Sequence, residues 1–222
     1  MAKIAFPNRI PVQSFNLALD WPGQISHRSI TGRVTVIPRG VGRFVGAIAF
    51  GPLHHEEDRT LIREMETFLD ETEGLLSDFD IPLTHRQSTG FLPRGYVVTL
   101  TSGVVAGRNT IMTVSAVTDG GAAYALPNGL FQRGDYFNVI TDGKARLLRA
   151  VAPNIGNRIT ATPPVAAVGP GSVMRPREFD RATGIDFYTP IINARRTDAT
   201  PQQTGQAEGV VSPITIQFEE LI

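Results

Sequence analysis

The stretch GDYFNVITDGKARLLRAVAP, residues 134–153, decides the fold. Two short apolar runs flank Asp142-Gly143, and an Asp-Gly pair favours the tight turn that joins two antiparallel strands. The flanking sequence, from Tyr96 to about Met174, has the same texture of five or six short strands with glycine turns and no helical period. The pattern predicts a small β-barrel or sandwich in the middle of the chain.

The two chain ends predict a second β unit. In SFNLALDW, residues 14–21, apolar and polar side chains alternate, which is typical of a half-buried strand. The last strand alternates Ile214, Ile216 and Phe218 with polar residues, and it needs a partner, most simply in the N-terminal sheet. The predicted fold class is mainly β. Its first domain is a β-sandwich or split barrel made of residues 1–95 and 176–222, and its second is an inserted small β-barrel at 96–175.

The first domain is expected to contain one hairpin and one helix. PRGVG, residues 38–42, lies between two apolar runs, so we predict a hairpin over roughly residues 29–51. Leu61, Met65, Phe68 and Leu69 form one apolar stripe at helical spacing, which predicts a helix over 56–72. The polar, turn-rich segment 197–209 is predicted to be a long loop.

Metal binding is the alternative interpretation of the helix entry. His54 and His55 precede Glu56, Glu57 and Asp58, and all five are potential ligands. Helical metal pairs need a spacing of three or four residues, whereas these histidines are adjacent. Acids in a first helical turn are favoured by the free N–H groups there. The segment is therefore predicted to be a helix entry, and no metal or cofactor is expected.

Charge is balanced overall but unevenly distributed. The 222 residues hold 21 basic and 21 acidic side chains, so no global field favours nucleic acid or an anionic surface. An acid-free arginine segment precedes the acid-rich helix, and this pairing predicts a head-to-tail contact between copies of the chain. The candidate interface residues are Arg28, Arg33, Arg39, Arg43, Glu56, Glu57, Glu64, Glu66 and Asp70. The alternative is a solvated helix face and an ordinary hairpin.

Composition bears on compartment. There is no cysteine, which excludes disulfides and thiolate chemistry. The opening residues lack the apolar core of a signal peptide, and no run reaches the length of a membrane span. We expect synthesis and assembly in cytoplasm, without membrane insertion.

Two other functional classes are weighed against a structural role. A cell-wall hydrolase would use Asp78 and Asp80, or His85, but no second acidic cluster or catalytic motif supports it, and we expect no enzyme. A saccharide-binding module would use aromatic side chains of the middle block, although these are more simply core residues. The candidates are Tyr96, Tyr124, Phe131, Tyr136 and Phe137.

The order of motifs resembles the distal tail proteins of long-tailed bacteriophages and related tail-tip proteins. The resemblance covers nearly the whole chain and begins with Phe6-Pro7 and the Trp21 strand. The further motifs are TGRVTVIPRGVGRFVGAIAF (31–50), EEDRTLIREMETFLDETEG (56–74), FLPRG (91–95), LFQRGDYFNVITDGKARLLRAVA (130–152) and GVVSPITIQFEEL (209–221). The fourth of these is the most specific.

The resemblance implies a structural role in the virion tail tip. Members of this family form a hexameric ring between the tail tube and the hub that leads to the host-binding apparatus. The implied partners are further copies of the chain, the tail tube protein, the hub protein and the tape-measure protein, with DNA passing through the lumen unbound. The acidic helix would then face either a neighbouring copy or this lumen, where its negative charge would repel the DNA. A receptor- or carbohydrate-binding tail module, or another tail-tip or tail-completion ring protein, is the alternative.

Overall fold

The computed structural model describes residues 3–21, 23–25, 36–38, 42–72, 77–84, 91–92, 96–118, 120–165, 170–180, 185–198, 202–203, 210–211 and 213–221. One helix, α1, runs from Arg59 to Glu71 within these residues. The strands, in chain order, are β1 (Val12–Asp20), β2 (Gly23–Ile25), β3 (Val36–Pro38), β4 (Arg43–Phe50), β5 (Leu53–His54), β6 (Asp78–Pro82), β7 (Phe91–Leu92), β8 (Val97–Ala106), β9 (Asn109–Val117), β10 (Ala123–Tyr124), β11 (Tyr136–Thr141), β12 (Lys144–Ala150), β13 (Arg158–Thr162), β14 (Val173–Arg175), β15 (Arg177–Asp180), β16 (Ile185–Tyr188), β17 (Ile191–Arg196), β18 (Gln202–Gln203), β19 (Val210–Val211) and β20 (Ile214–Glu220). The described residues form twenty strands and one helix, which confirms a mainly β chain with one helix and a small barrel.

The chain divides into two compact units. The first comprises Met1–Ala18, Phe44–Ile81 and Ile192–Ile222, and the second comprises Leu19–Arg43 and Pro82–Ile191. Both chain ends therefore contribute to the first unit. These limits differ from the sequence-based ones, because residues 19–43, 82–95 and 176–191 belong to the second unit.

Contacts within the second unit explain this difference. The Arg146 guanidinium donates to the carbonyl oxygen of Gly42 at 3.0 Å, and Arg108 lies 5.2 Å from the centre of the Trp21 ring. Asn138, a fully buried barrel residue, binds both the N–H and the carbonyl oxygen of Ile191. Such side-chain contacts are tertiary, and no composition change marks them in the sequence.

The second unit is built on a closed six-stranded barrel. Its strand order is β8-β9-β13-β12-β11-β14, with β14 pairing back to β8 and β10 added beside β9. The predicted Asp-Gly turn joins β11 to β12. Asp142 and Gly143 both have positive φ, 51° and 76°, as a type I′ hairpin turn requires. β14 returns beside β11 after the β11–β12–β13 meander, which is a Greek-key connection.

The first unit is a curled sheet with α1 packed on one face. The sheet order is β1-β4-β20-β17-β6, and β18 also pairs with β20. The C-terminal strand β20 therefore pairs with β4 of the N-terminal sheet, as predicted. The alternation of β1 is also confirmed, because Phe15, Leu17 and Leu19 are half-buried whereas Ser14, Asn16 and Ala18 are exposed.

Aromatic side chains join α1 to this sheet. Phe68 of the helix makes edge-to-face contacts with Phe6 and Phe79, at 5.9 and 5.1 Å between ring centres. Met65 is buried beside it, while Leu61 and Leu69 are half-buried, so the predicted apolar stripe faces the core. Large aromatic surfaces supply most of the burial that fixes an amphipathic helix.

The predicted hairpin over 29–51 is wrong in its pairing. β3 pairs with β2, and β4 pairs with β1 and β20 instead of β3. A turn signal between two apolar runs identifies strands but does not identify their partners. Residues 26–35 and 39–41 of this segment, and most of the predicted loop 197–209, lie outside the described residues.

Candidate subunit interface

The helix that carries the acidic candidates begins later than predicted. α1 starts at Arg59, so Glu56 and Glu57 lie in the turn before it, and its first turn contains no acid. The Asp58 carboxylate accepts the N–H of His54 at 2.9 Å, and the Asp58 N–H donates to the His54 carbonyl oxygen. These two hydrogen bonds hold the chain in a tight turn, which delays the helix by three residues.

The acidic candidates are nevertheless accessible. Glu56, Glu57, Glu66 and Asp70 are exposed, and Glu64 is half-buried. Charged side chains in these positions are available for contacts with another molecule.

The arginine candidates are mostly outside the described residues. Arg28, Arg33 and Arg39 lie there, so the basic half of the predicted contact stays a prediction. Arg43 is described, and its guanidinium Nε lies 3.7 Å from a carboxylate oxygen of Asp20. Part of its charge is therefore balanced within the chain.

The structure adds a basic site that sequence analysis missed. A shallow depression of about 260 Å³ lies along the first half of α1. It is lined by His55, Arg59, Ile62, Arg63 and Glu66. The signal was present in the sequence, because steps of three and four residues place these side chains on one helical face.

Side chains of like charge lie one helical turn apart along α1. Arg59 and Arg63 are four residues apart, as are Glu66 and Asp70. Like charges at this spacing each destabilise a helix by about 0.2–0.5 kcal/mol. Among the described residues, no carboxylate lies within ion-pair distance of Arg59 or Arg63. The helix thus has a basic first half and an acidic second half, neither neutralised by the other.

No metal-ligand group is found in the described part of the chain. His54 and His55 are exposed, and His27 and His85 lie outside the described residues. Histidines need convergent partners to hold a metal, and here the nearby carboxylate of Asp58 is hydrogen-bonded to the backbone.

One of the two carboxylates of β6 forms an ion pair. Asp78 and Asp80 are both half-buried, two residues apart on one strand. Both oxygens of Asp80 accept the Lys3 ammonium, at 2.8 and 2.9 Å. The contact holds the N-terminal segment against β6.

The aromatic candidates for saccharide binding belong to the barrel core. Phe131 and Phe137 are fully buried, with ring centres 5.8 Å apart, and Tyr136 is 7% exposed. Tyr96 and Tyr124 pack against the core and meet edge-to-face at 4.8 Å. A buried ring face cannot stack on a sugar, which removes three of the five candidates.

Comparison with protein-family models and with curated proteins found no match to this chain. None of the described helical residues forms a segment long and apolar enough to cross a membrane.

Proposed function

We propose that this chain is a structural, non-catalytic component of a bacteriophage tail tip, forming a ring that joins the tail tube to the hub of the host-recognition apparatus. The order of motifs along the chain supports the tail-tip assignment, as does a first unit to which both chain ends contribute. The resemblance implies six copies per ring, located in the virion. Tube, hub and tape-measure proteins are the proposed partners.

The sorted charges of α1 carry the ring assembly. Within one chain, Arg59 and Arg63 repel each other, as do Glu66 and Asp70. A head-to-tail contact brings the basic half of one helix against the acidic half of the next. The attractions between the two helices then offset the repulsions within each helix. Because two different patches meet, the contact is heterologous, and rotation by a fixed angle closes it into a ring.

This contact modifies the interface expected from the sequence. The acidic side keeps the predicted Glu66 and Asp70, while the basic side gains His55, Arg59 and Arg63 of the depression, and Glu66, the last of the lining residues along α1, lies where the two patches meet. The depression receives the carboxylates of the neighbouring copy, and arginine suits this role because its fork binds carboxylates in pairs.

Native mass spectrometry of the purified protein, with negative-stain imaging of any large species, tests ring formation. We expect a species of six chains with a central pore. If the protein remains a monomer both alone and in the presence of purified tail tubes, the tail-ring proposal is wrong.

Charge reversal tests the interface. In Arg59→Glu/Arg63→Glu and in Glu66→Arg/Asp70→Arg, we expect rings to be lost, since each change places like charges on both sides of the contact. Combining all four substitutions in one chain restores opposite charges and is expected to restore the rings.

A matched control reverses two exposed charges elsewhere. Lys144 and Arg133 are exposed residues of the second unit, and Lys144→Glu/Arg133→Glu changes the net charge by the same amount as the helix arginine variant. The control is expected to form rings. Equal loss in the control, or no recovery in the fourfold variant, would show that net charge rather than this contact controls assembly.

A further inference from the structure

The strand β8 has an edge that no described strand covers. On one side β8 pairs with β9 along its whole length. On the other side, pairing with β14 involves Val98 and Thr99, and the last hydrogen bonds are those of Leu100 with Ser172 and Gly171. Every residue from 101 to 106 is exposed, so this end of β8 presents an edge that the described residues leave open, while its partner β9 pairs with β13 on the other side.

The sequence of this edge lacks the features that normally prevent strand pairing. TSGVVA, residues 101–106, contains no charge and no proline. The one irregularity, a bulge between Leu100 and Ser102, lies at its start. Val104 and Val105 are 62% and 47% exposed, and with Val97 they make up three of the four exposed large hydrophobic residues in the described part of the chain.

The hairpin turn determines which backbone groups face outward. Gly107-Arg108 joins the strands, and of the two only Gly107 has positive φ, which is the pattern of a type II′ turn. The flanking pair, Ala106 and Asn109, is then hydrogen-bonded, and so is Val104 with its partner on β9. The backbone N–H and carbonyl groups of the intervening residues point away from β9. Gly103 and Val105 therefore direct their N–H and carbonyl groups away from the sheet.

We propose that this edge pairs in antiparallel fashion with the same edge of a second copy of the chain, about a two-fold axis at Val104. In this register Val104 lies opposite Val104 of the second copy, Gly103 opposite Val105, and Ser102 opposite Ala106. Glycine faces valine in the Gly103–Val105 pairs, the other pairs join residues of similar size, and no like charges meet, so the edge is complementary to itself. The outward groups of Gly103 and Val105 supply the ladder hydrogen bonds.

The contact goes beyond the proposed ring. It is isologous and joins two chains only, whereas the contact through α1 is heterologous and propagates. A strand pair of about five residues per chain covers far less than the roughly 1,200 Å² of a stable interface. Free chains therefore pair weakly, and pairing becomes effective at high local concentration, such as between two rings.

Cysteine cross-linking tests the register directly. The chain contains no cysteine, so Val104→Cys carries its sole thiol. In a non-hydrogen-bonded antiparallel pair the Cα atoms are about 4.5 Å apart. This separation falls within the roughly 4.4–6.8 Å that a disulfide spans. Under mild oxidation with diamide at about 100 µM protein, we expect a reducible covalent dimer to form at least about tenfold faster than in the control.

The control is Val97→Cys, an exposed valine at 46% on the same strand. It lies seven residues from the proposed axis, so it has no thiol opposite it. Equal rates for the two variants would mean random collision and would overturn the proposal.

Two further variants test whether the cross-link depends on the strand edge and whether it depends on the ring. Val105→Pro removes an outward N–H that the pairing of β8 with β9 does not use, so we expect folding to persist by circular dichroism and cross-linking of Val104→Cys to stop. Cross-linking that survives in the proline variant contradicts strand pairing. In the Arg59→Glu/Arg63→Glu background, which lacks the ring contact, cross-linking is expected to persist. Its loss there would show that the edge contact is a consequence of ring assembly.

Discussion

The side chain of Arg196 is expected to be the most costly charged group to remove from the first unit. It lies on β17 at 2% exposure and donates four hydrogen bonds. Two go to Asp198, at 3.1 Å to the carboxylate and 3.0 Å to the carbonyl oxygen. The others reach the carbonyl oxygen of Leu69 and the Thr72 hydroxyl, both at 3.1 Å, at the end of α1. The guanidinium thus caps the helix and links it to the sheet.

We predict that Arg196→Met lowers the free energy of unfolding by about 3 kcal/mol. Removing one partner of a buried ion pair costs about 3–5 kcal/mol, because the other charge stays buried without compensation. We expect the lower end of this range because the side chain of Asp198 is still 14% exposed to solvent. Losing the hydrogen bond to the Thr72 hydroxyl adds little to this loss of stability, since the hydroxyl still donates to the carbonyl oxygen of Phe68.

The control is Lys3→Met, which removes the ion pair with Asp80 in the same unit. The side chains of Lys3 and Asp80 keep 46% and 32% of their exposure, so the expected loss is about 0–1 kcal/mol. Thermal unfolding followed by circular dichroism measures both variants. At about 2–4 °C per kcal/mol for a chain of this size, Arg196→Met lowers the midpoint by about 6–12 °C.

A second substitution tests the cause of this loss. Asp198→Asn in the Arg196→Met background removes the uncompensated charge, so the double variant is expected to be more stable than Arg196→Met alone. Hydrogen exchange of the α1 amides should locate the effect at the helix. A loss no larger than that of Lys3→Met, or a double variant that is less stable still, would refute the reasoning.

Three other predictions concern positions where the backbone or a buried amide is constrained. Gly46→Ala places a methyl group against the carbonyl oxygen of Asn16, and chemical denaturation should show a loss of about 3 kcal/mol. Gly120→Ala should be neutral, because its methyl group would meet only the Thr118 hydroxyl oxygen at an ordinary contact distance of 4.0 Å. Gly143→Ala strains a turn residue with φ of 76° and should cost about 1 kcal/mol by the same measurement, even though no atom obstructs the methyl group. Asn138→Ala removes three hydrogen bonds from a fully buried side chain and should cost about 3 kcal/mol, read from the fluorescence of the single tryptophan during urea unfolding.

Local features of the fold were predictable because their causes lie within a few residues. The Asp142-Gly143 turn follows from which residues adopt positive φ, and the buried face of α1 follows from helical spacing. The pairing of the C-terminal strand with the N-terminal sheet was also predicted, but the partner of β3 was not, because any apolar strand satisfies the same alternation. The helix start was also missed, since the hydrogen bonds between Asp58 and His54 compete with a longer helix.

The candidate interface was predictable in part for the same reason. The acids were identified as a charge excess, and exposure of Glu66 and Asp70 agrees with it. A count of charges did not show that the two helix arginines could form a binding site, because this depends on their position along α1. Only the helix register shows that Arg59 and Arg63 form one patch and the acids another.

Salt separates the two proposed contacts. The contact through α1 depends on opposite charges at the surface, whereas the β8 edge between Thr101 and Ala106 carries no charge. Raising the ionic strength from about 0.15 to 1 M shortens the screening length from about 8 to about 3 Å. Exposed charge pairs are weakened by this change, while burial of apolar groups and ladder hydrogen bonds are not. We therefore expect high salt to dissolve rings in native mass spectrometry while Val104→Cys continues to form its covalent dimer. Loss of both together would mean that the edge pairs only inside an assembled ring, and persistence of both would exclude charge as the basis of the ring contact.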